Sequence, residues 1–98
     1  MNLQDNVNKF MNIIHNKDFK YIMISGYAKE FDFKTDLTDI DVNIKENKLN
    51  IKGNKLYLNI YLNTIKHNSL EYEKGKTVEG YDFTIKTNGS TIILSYFK

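Results

Sequence analysis

Ninety-eight residues, 41% hydrophobic and 27% charged, have ordinary globular composition and predict one domain over 1–98 with a single core. There is no Cys, which excludes a disulfide scaffold, a thiolate zinc site and a Cys nucleophile. The 14 basic residues are all Lys, against 12 acids, and a net charge of +2 does not by itself imply nucleic acid or an anionic membrane.

Residues 2–16 read as an amphipathic helix. Leu3, Val7, Phe10, Met11 and Ile14 recur at helical spacing, and Asn6, Lys9, Asn12 and Asn16 fill the opposite face. Asn2 suits the N-cap, and Asp5 suits the first turn. Asn16-Lys17-Asp18 reads as the stop. Residues 19–97 are strand-like throughout and read as an antiparallel meander. In Phe19–Gly26, Ile22 and Ile24 lie on one side and Tyr21 and Met23 on the other, which predicts burial of both faces. Phe31 and Phe33 alternate with Asp32 and Lys34 in a second strand.

From residue 39 the two-residue period is plain. Ile40, Val42 and Ile44 point one way, Glu46-Asn47 turns, and Leu49 and Ile51 resume the apolar face. Gly53-Asn54 is expected to turn again before Leu56, Leu58, Ile60 and Leu62 alternate with Tyr57, Asn59, Tyr61 and Asn63. Leu70–Glu73 is a weaker strand, and Lys74–Gly80 reads as a mobile loop. Tyr81, Phe83 and Ile85 lead into Asn88-Gly89, a hairpin signal that calls for positive φ at both turn positions. Thr91–Phe97 closes the chain as a β-branched strand without Pro or charge; at a sheet edge it would pair with another chain. The expected fold class is α+β: one N-terminal helix on a strongly curved antiparallel sheet, or small barrel, of six to eight strands. Phe10 and Ile14 are expected to pack on Ile22, Ile24, Leu58 and Ile60.

Candidate chemistry is sparse. Asp39 and Asp41, two apart on a strand, would project from one face, and with Asp36 they could begin a hard-cation site. No Gly-containing metal loop surrounds them, so a solvated face opposite Lys is expected. His15 suits a helix C-terminus. His67 has no nucleophile or orienting carboxylate placed beside it. No metal, no cofactor and no enzymatic activity are expected. No apolar run is long enough to span a membrane, and the N-terminus lacks the layout of a secretory signal, so the expected compartment is the cytoplasm.

The most informative feature is the polar side of the central strands. Residues 42–69 carry five Lys and one Glu, net +4, whereas residues 29–41 carry five acids and two Lys, net −3. Lys48, Asn50, Lys52, Tyr57, Asn59 and Tyr61 are predicted to share one face around the Gly53-Asn54 turn. Exposed Tyr among Lys and Asn suits a protein partner, giving large contact area at low entropic cost. It also suits single-stranded bases stacked above a basic surface. The absence of Arg, whose planar fork recognises phosphate and guanine, favours the protein.

Two resemblances bear on function. Leu3-Gln4-Asp5 opening a helix, with Lys66-His67 later, resembles the bacterial Sm-like RNA chaperone. Here the spacing is longer, and Asn68 and Ser69 replace the apolar residues expected beside the Lys-His pair. His15-Asn16-Lys17-Asp18-Phe19, followed by Ile24-Ser25-Gly26, is similar to the helix-to-strand junction of a type II-A anti-CRISPR inhibitor. The small, Lys/Asn-rich, helix-then-sheet layout is similar to phage-encoded inhibitors generally. Asn occurs 13 times and Ile 12 times, and their A/T-rich codons fit a low-GC bacterium or its mobile elements. This resemblance implies a stoichiometric inhibitor of a host defence complex, without the acidic balance of a DNA mimic. The alternatives are a single-stranded nucleic-acid or RNA binder using the Lys/Tyr face, and an oligomeric structural subunit. A homodimer through Thr91–Phe97 is the expected association, unless barrel closure conceals that strand.

Overall fold

The computed structural model describes residues 2–16 and 21–97. Helix α1 spans Leu3–Asn16, followed by β1 (Tyr21–Ala28), β2 (Asp32–Leu37), β3 (Asp41–Lys45), β4 (Lys48–Lys52) and β5 (Tyr57–Tyr61). A 3₁₀ turn, Leu62–Thr64, then leads to β6 (Ile65–Lys74), β7 (Glu79–Thr87) and β8 (Ser90–Phe97). The expected helix stop at Lys17-Asp18 and the strand start at Phe19 lie outside the described residues.

Asn2 caps the helix as expected: its side-chain oxygen accepts the Asp5 backbone N–H at 2.8 Å. Val7 and Phe10 are buried, and the Phe10 ring lies 5.4 Å from that of Phe83. Farther along, the Tyr96 hydroxyl donates to the Ile14 carbonyl at 3.2 Å. The helix thereby lies over β7 and β8, and its backbone comes nearest β3 and β6. Asn6, expected on the polar face, is instead buried, its side-chain amide donating to the Asn68 side chain of β6 at 2.5 Å.

The strands do not form one meander. They form two antiparallel sheets, ordered β2-β1-β8-β7-β6 and β3-β4-β5, and neither sheet closes into a barrel. Strand β3 follows β2 in sequence but does not pair with it. The larger sheet is completed instead by β1 and β8, in register from Tyr21↔Phe97 to Ala28↔Ser90. Strand β8 is therefore central, bonded to β1 on one side and β7 on the other. This corrects the expected dimer through Thr91–Phe97: the apolar, unguarded strand has no free edge, and neighbouring strands rather than barrel closure cover it.

Register assigns the faces. Leu37, Ile22, Tyr96 and Tyr81 align across the larger sheet, then Ile24, Leu94, Phe83 and Leu70, then Phe33, Gly26, Ile92, Ile85 and Asn68. This inner face joins Val7 and Phe10 of the helix, and Val42, Leu49, Ile51 and Ile60 of the smaller sheet, in one buried cluster. Leu58 and Ile14, expected in the core, are half-buried at its border. On the opposite side of β1, Tyr21 is exposed and Met23 only partly buried, so the expected burial of both faces does not occur.

Gly26 serves a close approach: a Cβ there would stand 2.8 Å from Ile92 Cδ1 and run into the Phe33 ring across the strand pair. The turn residues Glu46 and Asn47 both have positive φ, 55° and 63°, the geometry of the two-residue turn that matches strand twist. Asn88-Gly89 does form a two-residue loop, but neither residue takes positive φ. There the Thr87 hydroxyl accepts the Ser90 N–H at 3.1 Å, a side-chain substitute for the backbone turn. Strand β6 runs ten residues, well beyond Leu70–Glu73, and the loop expected at Lys74–Gly80 shrinks to 75–78, closed by Gly75 N–H donating to the Val78 carbonyl at 2.6 Å.

Candidate interaction face

The outer side of the three-stranded sheet is a regular lattice. Its rows are Asp41-Lys52-Tyr57, Asn43-Asn50-Asn59 and Lys45-Lys48-Tyr61. All six residues singled out in the sequence, Lys48, Asn50, Lys52, Tyr57, Asn59 and Tyr61, lie on this face. The reason is local: short turns fix the register, and the two-residue period sends Leu49, Ile51, Leu58 and Ile60 to the other side. The expected tight Gly53-Asn54 turn is a longer connection over 53–56, closed by Gly53 N–H donating to the Leu56 carbonyl at 2.9 Å. Asn54 pins it to the end of β2, its N–H donating to the Thr38 carbonyl at 2.9 Å and its side-chain oxygen accepting the Thr38 N–H at 2.8 Å. Leu37 packs beneath Gly53.

Tyr57 and Tyr61 are 65% and 59% exposed, too open to serve the core. They sit at the two ends of β5 with Asn59 between them. Lys48 Nζ lies 5.5 Å from the Tyr61 ring centroid, a cation–π distance that holds the ring beside the lysine stem. The middle row is tied laterally: the Asn50 side-chain amide donates to Asn43 at 3.2 Å, and Asn43 donates to Asp41 at 3.1 Å. The face is thus cationic and aromatic at one end, amide in the middle, and carries Asp41 opposite Lys52 at the other. Asp41, weighed in the sequence only with Asp39 and Asp36 as a cation ligand, was not among the residues expected on this face, although the alternation placed it on the polar side of β3.

Other candidates are dispersed. Asp39, with φ 55°, sits in the β2–β3 connection rather than on a strand, so it and Asp41 do not share a strand face. Among the described residues no group of three or more His, Asp or Glu could hold a metal ion. His67 lies exposed on β6, and His15 lies exposed in the last helical turn.

A feature missed in the sequence is a groove of about 400 Å³ beside β5, lined chiefly by Phe31, Phe33, Leu58, Ile60, Tyr61 and Ile92. Phe31 and Phe33 form a wall on the inner side of the β5 edge. Only the packing of one sheet on the other brings 31–33 beside 58–61. Elsewhere, the Tyr72 ring meets that of Tyr81 at a tilt of 50° with centroids 4.9 Å apart, and its hydroxyl pKa is pushed up to about 12, first by a hydrogen bond with Glu79.

No protein-family model matches the chain, and no curated protein matches it. No described helix is long and apolar enough to cross a membrane.

Proposed function

We propose that the protein is a non-enzymatic binding module that captures a protein partner stoichiometrically on the outer face of β3-β4-β5. Its role is that of a small phage or mobile-element inhibitor of a host defence complex, anti-CRISPR-like in kind and cytoplasmic. The observation that carries this reading is the pair of exposed tyrosines, Tyr57 and Tyr61, bracketing an amide row on a sheet whose register short connections fix. Exposed aromatic anchors with few rotatable bonds are what protein interfaces exploit, because little side-chain freedom is lost on contact. Lys48, Lys52, Asn50 and Asn59 supply a polar surround that pairs with acids and amides of a partner.

The test compares the wild-type chain with a Tyr57→Ala, Tyr61→Ala double variant as matched baits. A protein retained by the first and weakened by about 2 kcal/mol or more in the second, at unchanged folding stability, supports the reading. Full retention by the variant removes the tyrosines from the site. Binding to single-stranded nucleic acid that weakens steeply with salt would transfer the face to the nucleic-acid reading.

A further inference from the structure

Among the described residues the two sheets have four edges, and three are guarded by charge. Strand β2 carries Asp32, Lys34 and Asp36; β3 carries Asp41 and Lys45; β6 carries Lys66, Glu71, Glu73 and Lys74. Strand β5, Tyr57-Leu58-Asn59-Ile60-Tyr61, carries no charge, no Pro and no Gly. Unguarded edges invite another strand, because their backbone groups remain unpaired.

The free groups of β5 can be named. Gly53 N–H donates to Leu56 O at 2.9 Å at one end of the β4–β5 ladder, and Leu62 N–H donates to Asn47 O at 3.0 Å at the other. Between them Ile51↔Leu58 and Leu49↔Ile60 are the pairs that exchange hydrogen bonds, by the alternation of an antiparallel ladder. The backbone N–H and C=O of Tyr57, Asn59 and Tyr61 consequently point away from β4. The Tyr61 carbonyl also accepts the Thr64 hydroxyl at 2.7 Å.

The strand is also a palindrome in chemistry: Tyr, aliphatic, Asn, aliphatic, Tyr. A two-fold axis through Asn59 pairs like with like. We infer that β5 is a dimerisation edge, joining a second copy of this chain antiparallel about Asn59 into one continuous six-stranded sheet. Asn59 exchanges both of its backbone bonds with Asn59 of the other copy, and Tyr57 lies opposite Tyr61. On the outer face the amide row continues across the axis. On the inner side Leu58 and Ile60 of the incoming strand meet the apolar groove that Phe31, Phe33 and Ile92 wall beside β5. Phe31 is 56% exposed in the single chain, apolar surface that an incoming strand covers. A second copy suits this edge better than an arbitrary extended peptide, since the strand is self-complementary and carries no charge to repel its own copy.

The inference stands apart from the proposed function, because its measurement needs no partner. Sedimentation of the full chain should show a monomer–dimer equilibrium. Asn59→Pro, which removes an N–H that β4 does not use, should weaken association by at least about tenfold while leaving the circular dichroism spectrum of the diluted chain unchanged. The absence of native cysteine allows a second readout. Antiparallel partners of a hydrogen-bonded pair stand about 5.5 Å apart at Cα, within disulfide range. Asn59→Cys should therefore cross-link to a dimer under mild oxidation, at least about tenfold faster than Asn43→Cys on the β3 edge. If Asn59→Pro does not fold, this cross-linking ratio decides. A chain that stays monomeric at millimolar concentration overturns the inference and leaves the edge to another partner. So does a dimer in which Asn59→Cys and Asn43→Cys cross-link at equal rates.

Discussion

The three-stranded and five-stranded sheets are held by pairings of different range. In β3-β4-β5 every partner is the next strand in sequence, reached through a two-residue turn or the 53–56 connection. In β2-β1-β8-β7-β6 the decisive contact joins the first strand to the last. The same alternating pattern thus serves two kinds of assembly. The local sheet has its face fixed by turn chemistry and can present a regular polar lattice. The larger sheet has its order set by long-range burial: β8, between β1 and β7, buries Ile92, Leu94 and Tyr96 on the inner face.

The largest effects test whether both sheets share one core. Leu94→Ala at the centre of the larger sheet and Leu49→Ala in the smaller one, both fully buried, should each cost about 2–5 kcal/mol in denaturant unfolding, in one cooperative transition. Two separate transitions would mean that the sheets unfold independently. Leu58→Ala, half-buried at the border, should cost only about 1–2 kcal/mol, because part of its side chain already meets water.

Backbone devices should separate the sheets next. Gly26→Ala forces a methyl against Phe33 and Ile92, so about 1–3 kcal/mol is expected from overpacking. In the smaller sheet the sensitive position is the β3–β4 turn: Asn47→Val, β-branched at φ 63°, should cost about 1–3 kcal/mol. Thermal melts of the two variants give the comparison directly. Hydrogen exchange of the diluted chain sharpens it further. Amides in the middle of β8 should be among the slowest. Those of Tyr57, Asn59 and Tyr61 should exchange fast, alternating with slow Leu58 and Ile60; slow exchange at all five would contradict the assigned edge.

The smallest effect lies at the β6–β7 end of the larger sheet. Tyr72 is held neutral up to about 12 against an ordinary value of 10.0. The unfolded chain loses this proton first, so any stability gained from the raised pKa is complete below 10 and declines as pH rises from 10 to 12. In ultraviolet titration Tyr72 should ionise late, and Glu79→Gln should bring its ionisation earlier.

What depends on neighbours along the chain was legible in the residues. The spacing of Val7 and Phe10 specified a helix and its buried side, and Asn2 specified its cap. The alternation from Ile40 to Leu62 specified three strands, and so placed Tyr57, Asn59 and Tyr61 on the face of Lys48, Asn50 and Lys52. Glu46-Asn47 was readable as a turn because it leaves no other path between Lys45 and Lys48. Tertiary structure alone decided which strands pair across distance. Period-two alternation says which side of a strand is apolar but not which strand lies beside it, so one meander and two sheets read alike. That choice moved Thr91–Phe97 from an edge to the centre, left β5 as the uncharged edge, and set Phe31 and Phe33 beside Leu58 and Ile60. It was made by burial, because β1 and β8 together complete an inner face that neither could cover alone.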